Sequence, residues 1–100
     1  MTRGDVYEYT IGNARTCIAI VSAAPYDPRR ATFVVILGAD VPAPPSPSLV
    51  PAAPADPVRG TIDVTRLRPL VPDNAGARLG RLSRTTMLRI DDALRNYLGM

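Results

Sequence analysis

Seven of the sixteen residues from 42 to 57 are proline, and that stretch closes off most ways of folding this 100-residue chain. Each proline lacks a backbone N–H, so neither a helix interior nor a central strand can pass through it. The segment is expected to run as an extended, polyproline-like surface loop, mobile or packed, with a short edge strand around residues 48–53. A loop of that kind adds little to a core. Deleting its middle is therefore expected to leave melting nearly unchanged.

The chain before this stretch reads as strands. Residues 6–10 alternate Val6, Glu8 and Thr10 with Tyr7 and Tyr9, a pleated pattern, and Gly12-Asn13 marks a turn. Residues 16–22 (TCIAIVS) and 32–37 (TFVVIL) are short apolar runs rich in β-branched residues, the pattern of buried strands. Pro25, Asp27 and Pro28 interrupt them and place Arg29 and Arg30 in a loop. Beyond the prolines, residues 60–64 form another strand, and Leu67-Arg68-Pro69-Leu70 continues its path. A turn cluster follows at residues 72–76, then a short connector at 78–81.

The C-terminus predicts a helix. Ser83 is a suitable N-cap, and Met87, Ile90, Leu94, Tyr97 and Leu98 recur at three- and four-residue spacing on one face. Gly99 suits the left-handed conformation in which helices often end. Asp91 and Asp92 belong to the solvated face, within reach of Arg95. Strands followed by one helix predict a mostly β fold: a small barrel with a C-terminal α-helix, a single domain over residues 1–100.

Composition narrows the chemistry. With no histidine and a single cysteine, neither a zinc site nor a histidine-based triad can be assembled. Cys17 lies in an apolar run and reads as a small buried hydrophobe. All twelve cationic residues are arginine, whose planar fork suits phosphate, and the net charge is +3. The chain has no run of eighteen apolar residues and no leading secretion segment, so no membrane association and a cytoplasmic location are expected. A core of modest size makes a homodimer a natural way to bury more apolar surface.

Several pieces in order carry a family likeness. They are Arg3-Gly4-Asp5-Val6-Tyr7, Ala14-Arg15 before a strand ending Ile20-Val21-Ser22, and Phe33-Val34-Val35-Ile36-Leu37. Leu67-Arg68-Pro69-Leu70 and Leu79-Gly80-Arg81-Leu82-Ser83 follow, with Met87, Asp91-Asp92-Ala93-Leu94 and Leu98-Gly99 on the helix. Together they resemble the PemK/MazF toxins of bacterial toxin–antitoxin pairs, over nearly the whole chain apart from the proline-rich stretch. The resemblance implies an SH3-like barrel, a homodimer and an antitoxin partner laid across it. It also implies an endoribonuclease that cleaves single-stranded RNA at short sequences without a metal or other cofactor, through attack of a ribose 2′-hydroxyl that leaves a cyclic phosphate.

The same resemblance places Arg15 at the family's catalytic arginine. Thr16 stands where the family usually has proline. Gly38-Ala39-Asp40 follows the third strand where a serine or threonine is usual, so the phosphate-contacting hydroxyl falls to Thr16, Ser22, Ser46 or Ser48. Gly38 offers a backbone N–H in its place. Arg29, Arg30 and Arg68 complete the candidate RNA-binding set. Tyr7 and Tyr9 are expected to fill core or interface rather than to stack on bases. Two alternatives stay open: a gyrase-poisoning toxin of the CcdB kind, disfavoured by the absence of tryptophan, and a catalytically degenerate SH3-like binding module.

Overall fold

The computed structural model describes residues 2–22 and 31–99. Six strands form one antiparallel sheet: β1 (Asp5–Ile11), β2 (Ala14–Ser22), β3 (Thr32–Leu37), β4 (Leu49–Pro51), β5 (Thr61–Pro69) and β6 (Ala75–Arg81). Their order across the sheet is β4-β5-β3-β2-β1-β6, and helix α1 (Arg84–Leu98) follows. This is the mostly β fold with a C-terminal helix expected from the sequence.

The β1–β2 hairpin sets the register. Its two-residue turn has Gly12 at φ 60°, while among the described residues none other than glycine has a positive φ. Glycine first and an ordinary residue second is the type II′ pattern, whose twist matches that of paired strands. Ile11 therefore pairs with Ala14, Thr10 with Arg15, Tyr9 with Thr16 and Glu8 with Cys17. Partners share a face, so Glu8, Arg15 and Cys17 lie on one side of the sheet and Tyr9 and Thr16 on the other.

Both faces carry apolar side chains. On the first, Val6, Ala19, Val34, Ile36, Ile62 and Val64 pack under Met87, Ile90 and Ala93 of α1. On the second, Ile18, Ile20, Phe33, Val35 and Leu70 gather around Tyr9, whose ring lies 4.7 Å from that of Phe33. The Tyr9 hydroxyl accepts from the Val71 N–H at 3.0 Å. Ser83 caps α1 by accepting from the Thr86 N–H at 3.3 Å, and Gly99 ends it at φ 75°. The helical face is shorter than its spacing predicts. Tyr97 and Leu98 are half exposed, and Thr86 and Ala93 are buried instead.

The proline-rich stretch does more than a surface loop should. Leu49–Pro51 is the expected edge strand, and Val50 sits in the core. The Asp56 carboxylate then accepts from the Ala53 N–H (2.6 Å), the Ser83 N–H (2.7 Å) and the Thr86 hydroxyl (2.6 Å). Pro57 abuts Gly80 of β6, where a Cβ would stand 2.9 Å from the proline ring. The chain after β4 thus crosses to β6 and to the start of α1, drawing the two sheet edges toward a closed barrel. The low-burial reading holds for residues 42–47 and for the prolines, each of which is exposed; what it misses is the anchoring of the later half through Val50 and Asp56. Residues 78–81, expected as a connector, are also strand, because β6 pairs with β1 through two register shifts that blur any alternation.

The Arg3-Gly4-Asp5 opening has a structural role as well. Buried Asp5 accepts from the Thr2 N–H at 2.9 Å and meets Arg78 at 3.1 Å and Arg81 at 3.4 Å, while Arg3 pairs with Asp91 of α1. Burying Met87 and Ile90 contributes about 2 kcal/mol each, more than the ~0.5 kcal/mol expected of an exposed ion pair such as Arg3–Asp91.

Burial pushes the carboxyls of Asp5 and Asp56 up, but their partners outweigh it and hold both below the usual carboxylate range. Those partners are chiefly the Thr2 N–H and Arg78 for Asp5, and the Ser83 N–H and Thr86 hydroxyl for Asp56. Carboxyls depressed in the fold contribute stability that is complete above the ordinary aspartate pKa of about 4 and is lost as pH falls through the lower folded values. Asp56→Ala is expected to cost about 2 kcal/mol at pH 7, lowering the melting temperature by about 10 °C. Thermal scans from pH 7 to pH 2 should show the wild type losing more stability than the variant, so that the gap narrows in acid.

Candidate functional site

A trough runs along the second face of the sheet and, at its Arg15 end, reaches the margin of the first, to which Ile36 and Arg15 belong. Two shallow depressions, of about 350 and 360 Å³, share Ile11, Val35 and Arg66 along their walls. The first adds Ala14, Arg15, Thr16 and Gly38; the second adds Tyr9, Phe33, Arg68 and Asn74. Its floor is apolar, and arginines stand at one end, the middle and the other end. Such a surface suits a ligand that combines flat apolar groups with repeated negative charge.

Strand pairing assembles the Arg15 end. Cys17 pairs with Ile36, and continuing that register by two residues sets Gly38 opposite Arg15 and Leu37 opposite Thr16. The Arg15 side chain is 80% exposed, and its Nη2 donates to Glu8 Oε2 at 3.2 Å across the hairpin. A smaller depression beside the trough is walled by Glu8, Arg15, Thr16 and Cys17. One guanidinium has five donors, so binding one carboxylate oxygen leaves others for a second anion.

The arginine expected at a strand mouth is therefore at a concave, open rim, with Thr16 and Gly38 beside it. Thr16 supplies the only side-chain hydroxyl on the wall of that depression among the described residues. Ser22 does not join it. Seven residues along β2 separate it from Arg15, about 23 Å, and its hydroxyl is bonded to that of Thr32 at 2.5 Å. Ser46 and Ser48 stay in the proline-rich segment, where the Ser48 N–H donates to Ser46 Oγ at 3.2 Å. Arg68 lines the far end of the trough, and its Nη1 donates to the Leu67 carbonyl at 3.2 Å. Arg29 and Arg30 lie outside the described residues.

No family model and no curated protein matches the chain. Solved structures match over its whole length. An endoribonuclease from a mycobacterial species, solved with its cognate antitoxin, gives a TM-score of 0.90 at 26% identity, covering 100% of this chain and 96% of that one. A second mycobacterial endoribonuclease gives 0.87 at 25% identity, covering 100% and 92%. MazF from Deinococcus radiodurans gives 0.85 at 15% identity, covering 100% and 97%, a likeness of fold alone.

The chain shares its fold from end to end with these endoribonucleases and with MazF. The proline-rich stretch lies within the matched span, which takes in the whole of this chain. Two residues of the site escape sequence reasoning. Arg66 stands between the two depressions, held by Asp63 at 3.4 Å. An irregularity in the β3–β5 register separates it from the regular part of β5, so alternation does not reveal its face. In the sequence Glu8 is only one polar position of an alternating strand. Its meeting with Arg15 follows from the hairpin register, which Gly12-Asn13 signals.

Burial pushes the half-buried Cys17 thiol up, and the Glu8 charge adds to the effect. Glu8→Gln removes that charge, lowers the thiol pKa and raises the thiolate fraction at a given pH. Alkylation of Cys17, the chain's single cysteine, by iodoacetamide at pH 8 is expected to run a few-fold faster in Glu8→Gln than in wild type. An unchanged rate would mean that the carboxylate does not sit beside this thiol.

Proposed function

We propose that this protein is the toxin of a bacterial toxin–antitoxin pair and a sequence-specific endoribonuclease acting on single-stranded RNA. The observation that carries the reading is the Arg15–Thr16–Gly38 rim at the end of an arginine-lined apolar trough, on a barrel that mycobacterial endoribonucleases share from end to end. The endoribonuclease solved with its cognate antitoxin supports an antitoxin polypeptide as the second partner. A homodimer with RNA laid along the trough completes the proposal.

The chemistry follows from the residues. The ribose 2′-oxygen attacks the adjacent phosphorus, the bond to the 5′-oxygen breaks, and a cyclic phosphate and a 5′-hydroxyl result. Negative charge builds on the non-bridging phosphate oxygens, and Arg15 stabilises it through its uncommitted N–H groups. Thr16 and the Gly38 backbone N–H are the donors beside it. Arg66 and Arg68 hold flanking phosphates, and exposed Ile11 between them and Arg15 offers apolar wall to a base. With arginine as the stabilising charge, the reaction as proposed proceeds without a metal.

Incubation of the purified protein with a long RNA in the presence of a chelator should give discrete fragments with cyclic-phosphate ends. Arg15→Ala should lower the rate by about 10²–10³-fold. Arg66→Ala and Arg68→Ala should weaken binding of a single-stranded oligonucleotide, each reducing the slope of log affinity against log salt by about 0.7. Absence of fragments from varied RNAs, or cleavage equally fast with Arg15→Ala, would refute the reading.

A further inference from the structure

The reaction needs a group that takes the 2′-hydroxyl proton, and this chain has no histidine, no lysine and a single glutamate. Arginine, charged at all working pH values, is a poor proton acceptor. The carboxylates are the remaining choice, and most are committed elsewhere. Asp5 is buried against Arg78 and Arg81, and Asp56 holds Ser83 and Thr86. Asp63 accepts from Thr65 and pairs with Arg66. Asp91 and Asp92 are on α1 with Arg3 and Arg95.

Glu8 is different. It shares a depression with Arg15 and Thr16, its side chain is 40% exposed, and Arg15 grips Oε2 at 3.2 Å. Oε1 has no hydrogen-bond partner among the described residues. On its other flank lies Gly76 of β6, which adds no side chain; a Cβ there would stand 3.7 Å from Oε2. The charged and titratable groups facing it are Arg15 and Cys17 from β2, while β6 turns Arg78 toward Asp5. The guanidinium thus lies beside the carboxylate, where its charge offsets repulsion between that carboxylate and a phosphate bound at the rim.

We propose that Glu8, held by Arg15 beside the rim of the trough, is the general base of the RNA cleavage reaction. This rests on the ribonuclease reading above. The Glu8 carboxylate takes the 2′-hydroxyl proton as the 2′-oxygen bonds to phosphorus. The bond from phosphorus to the 5′-oxygen breaks, the leaving oxygen takes a proton from water, and Glu8 returns its proton to solvent. Each cycle leaves the protein unchanged.

The test is the pH–rate profile of single-turnover cleavage for wild type, Glu8→Gln, Glu8→Asp and Asp40→Asn, with folding checked by thermal melting. Asp40 is the control because its carboxylate lies next to Gly38. The expected result is a fall of about 10²–10³-fold for Glu8→Gln with KM within about twofold, and loss of the acidic limb. Glu8→Asp should recover part of the rate and keep that limb, and Asp40→Asn should stay within about threefold of wild type. A Glu8→Gln variant that keeps the acidic limb, or loses less than about tenfold, overturns the proposal, as does loss of the limb in Asp40→Asn. Wild type that cleaves while Glu8→Gln cleaves equally well sinks the base assignment alone. Wild type that never cleaves sinks the ribonuclease reading and this assignment together.

Discussion

A two-residue turn governs the functional end of this molecule. Gly12 at φ 60° lets β1 and β2 join in one register, and that register places Glu8 diagonally across from Arg15 while turning Thr16 to the opposite face. Slippage by one residue would exchange the faces of every side chain on β2, sending Arg15 toward the apolar cluster around Tyr9 and Thr16 toward α1. The packing of both faces opposes such a slip. Ile18 and Ile20 would leave the second face, and Ala19 would leave the helix-packed one. The chemistry at the rim is therefore fixed by the packing of the core some residues away.

The other constraint is closure. A six-stranded sheet leaves two edges, and here the segment between β4 and β5 links them through Asp56 and Pro57. Three donors converge on one carboxylate, two of them from the start of α1. The same contact seats the helix whose Met87 and Ile90 cover the first face of the sheet. Proline suits this segment because its backbone needs few ladder bonds and its rings fit against a glycine on β6.

The sequence makes some of this visible and hides the rest for physical reasons. β2 and β3 are plain because burial on both faces makes them near-continuous apolar runs, α1 because burial imposes a period on it, and Ser83 and Gly99 mark the helix ends by their own chemistry. Position 15 is legible through its place before a buried strand and through family likeness. β6 is not, because Gly76 and Gly80 dilute its pattern and two register shifts break its alternation. Arg66 and Asp56 are hidden for a further reason. Each acts through a partner distant in sequence or through a bulge, and local spacing does not encode such contacts. The exposed ends of Tyr97 and Leu98 show the reverse error, a helical period that continues past the surface it covers.

The account comes down to where a phosphate sits, and a structure with a bound oligonucleotide lacking the 2′-hydroxyl at the cleavage position tests it directly. The account predicts a non-bridging oxygen within about 3 Å of the Arg15 guanidinium, the 2′-carbon of that sugar turned toward Glu8, and the strand continuing past Arg66 to Arg68. An oligonucleotide bound on another surface, with Arg15 still paired only to Glu8 and open to solvent, would contradict it.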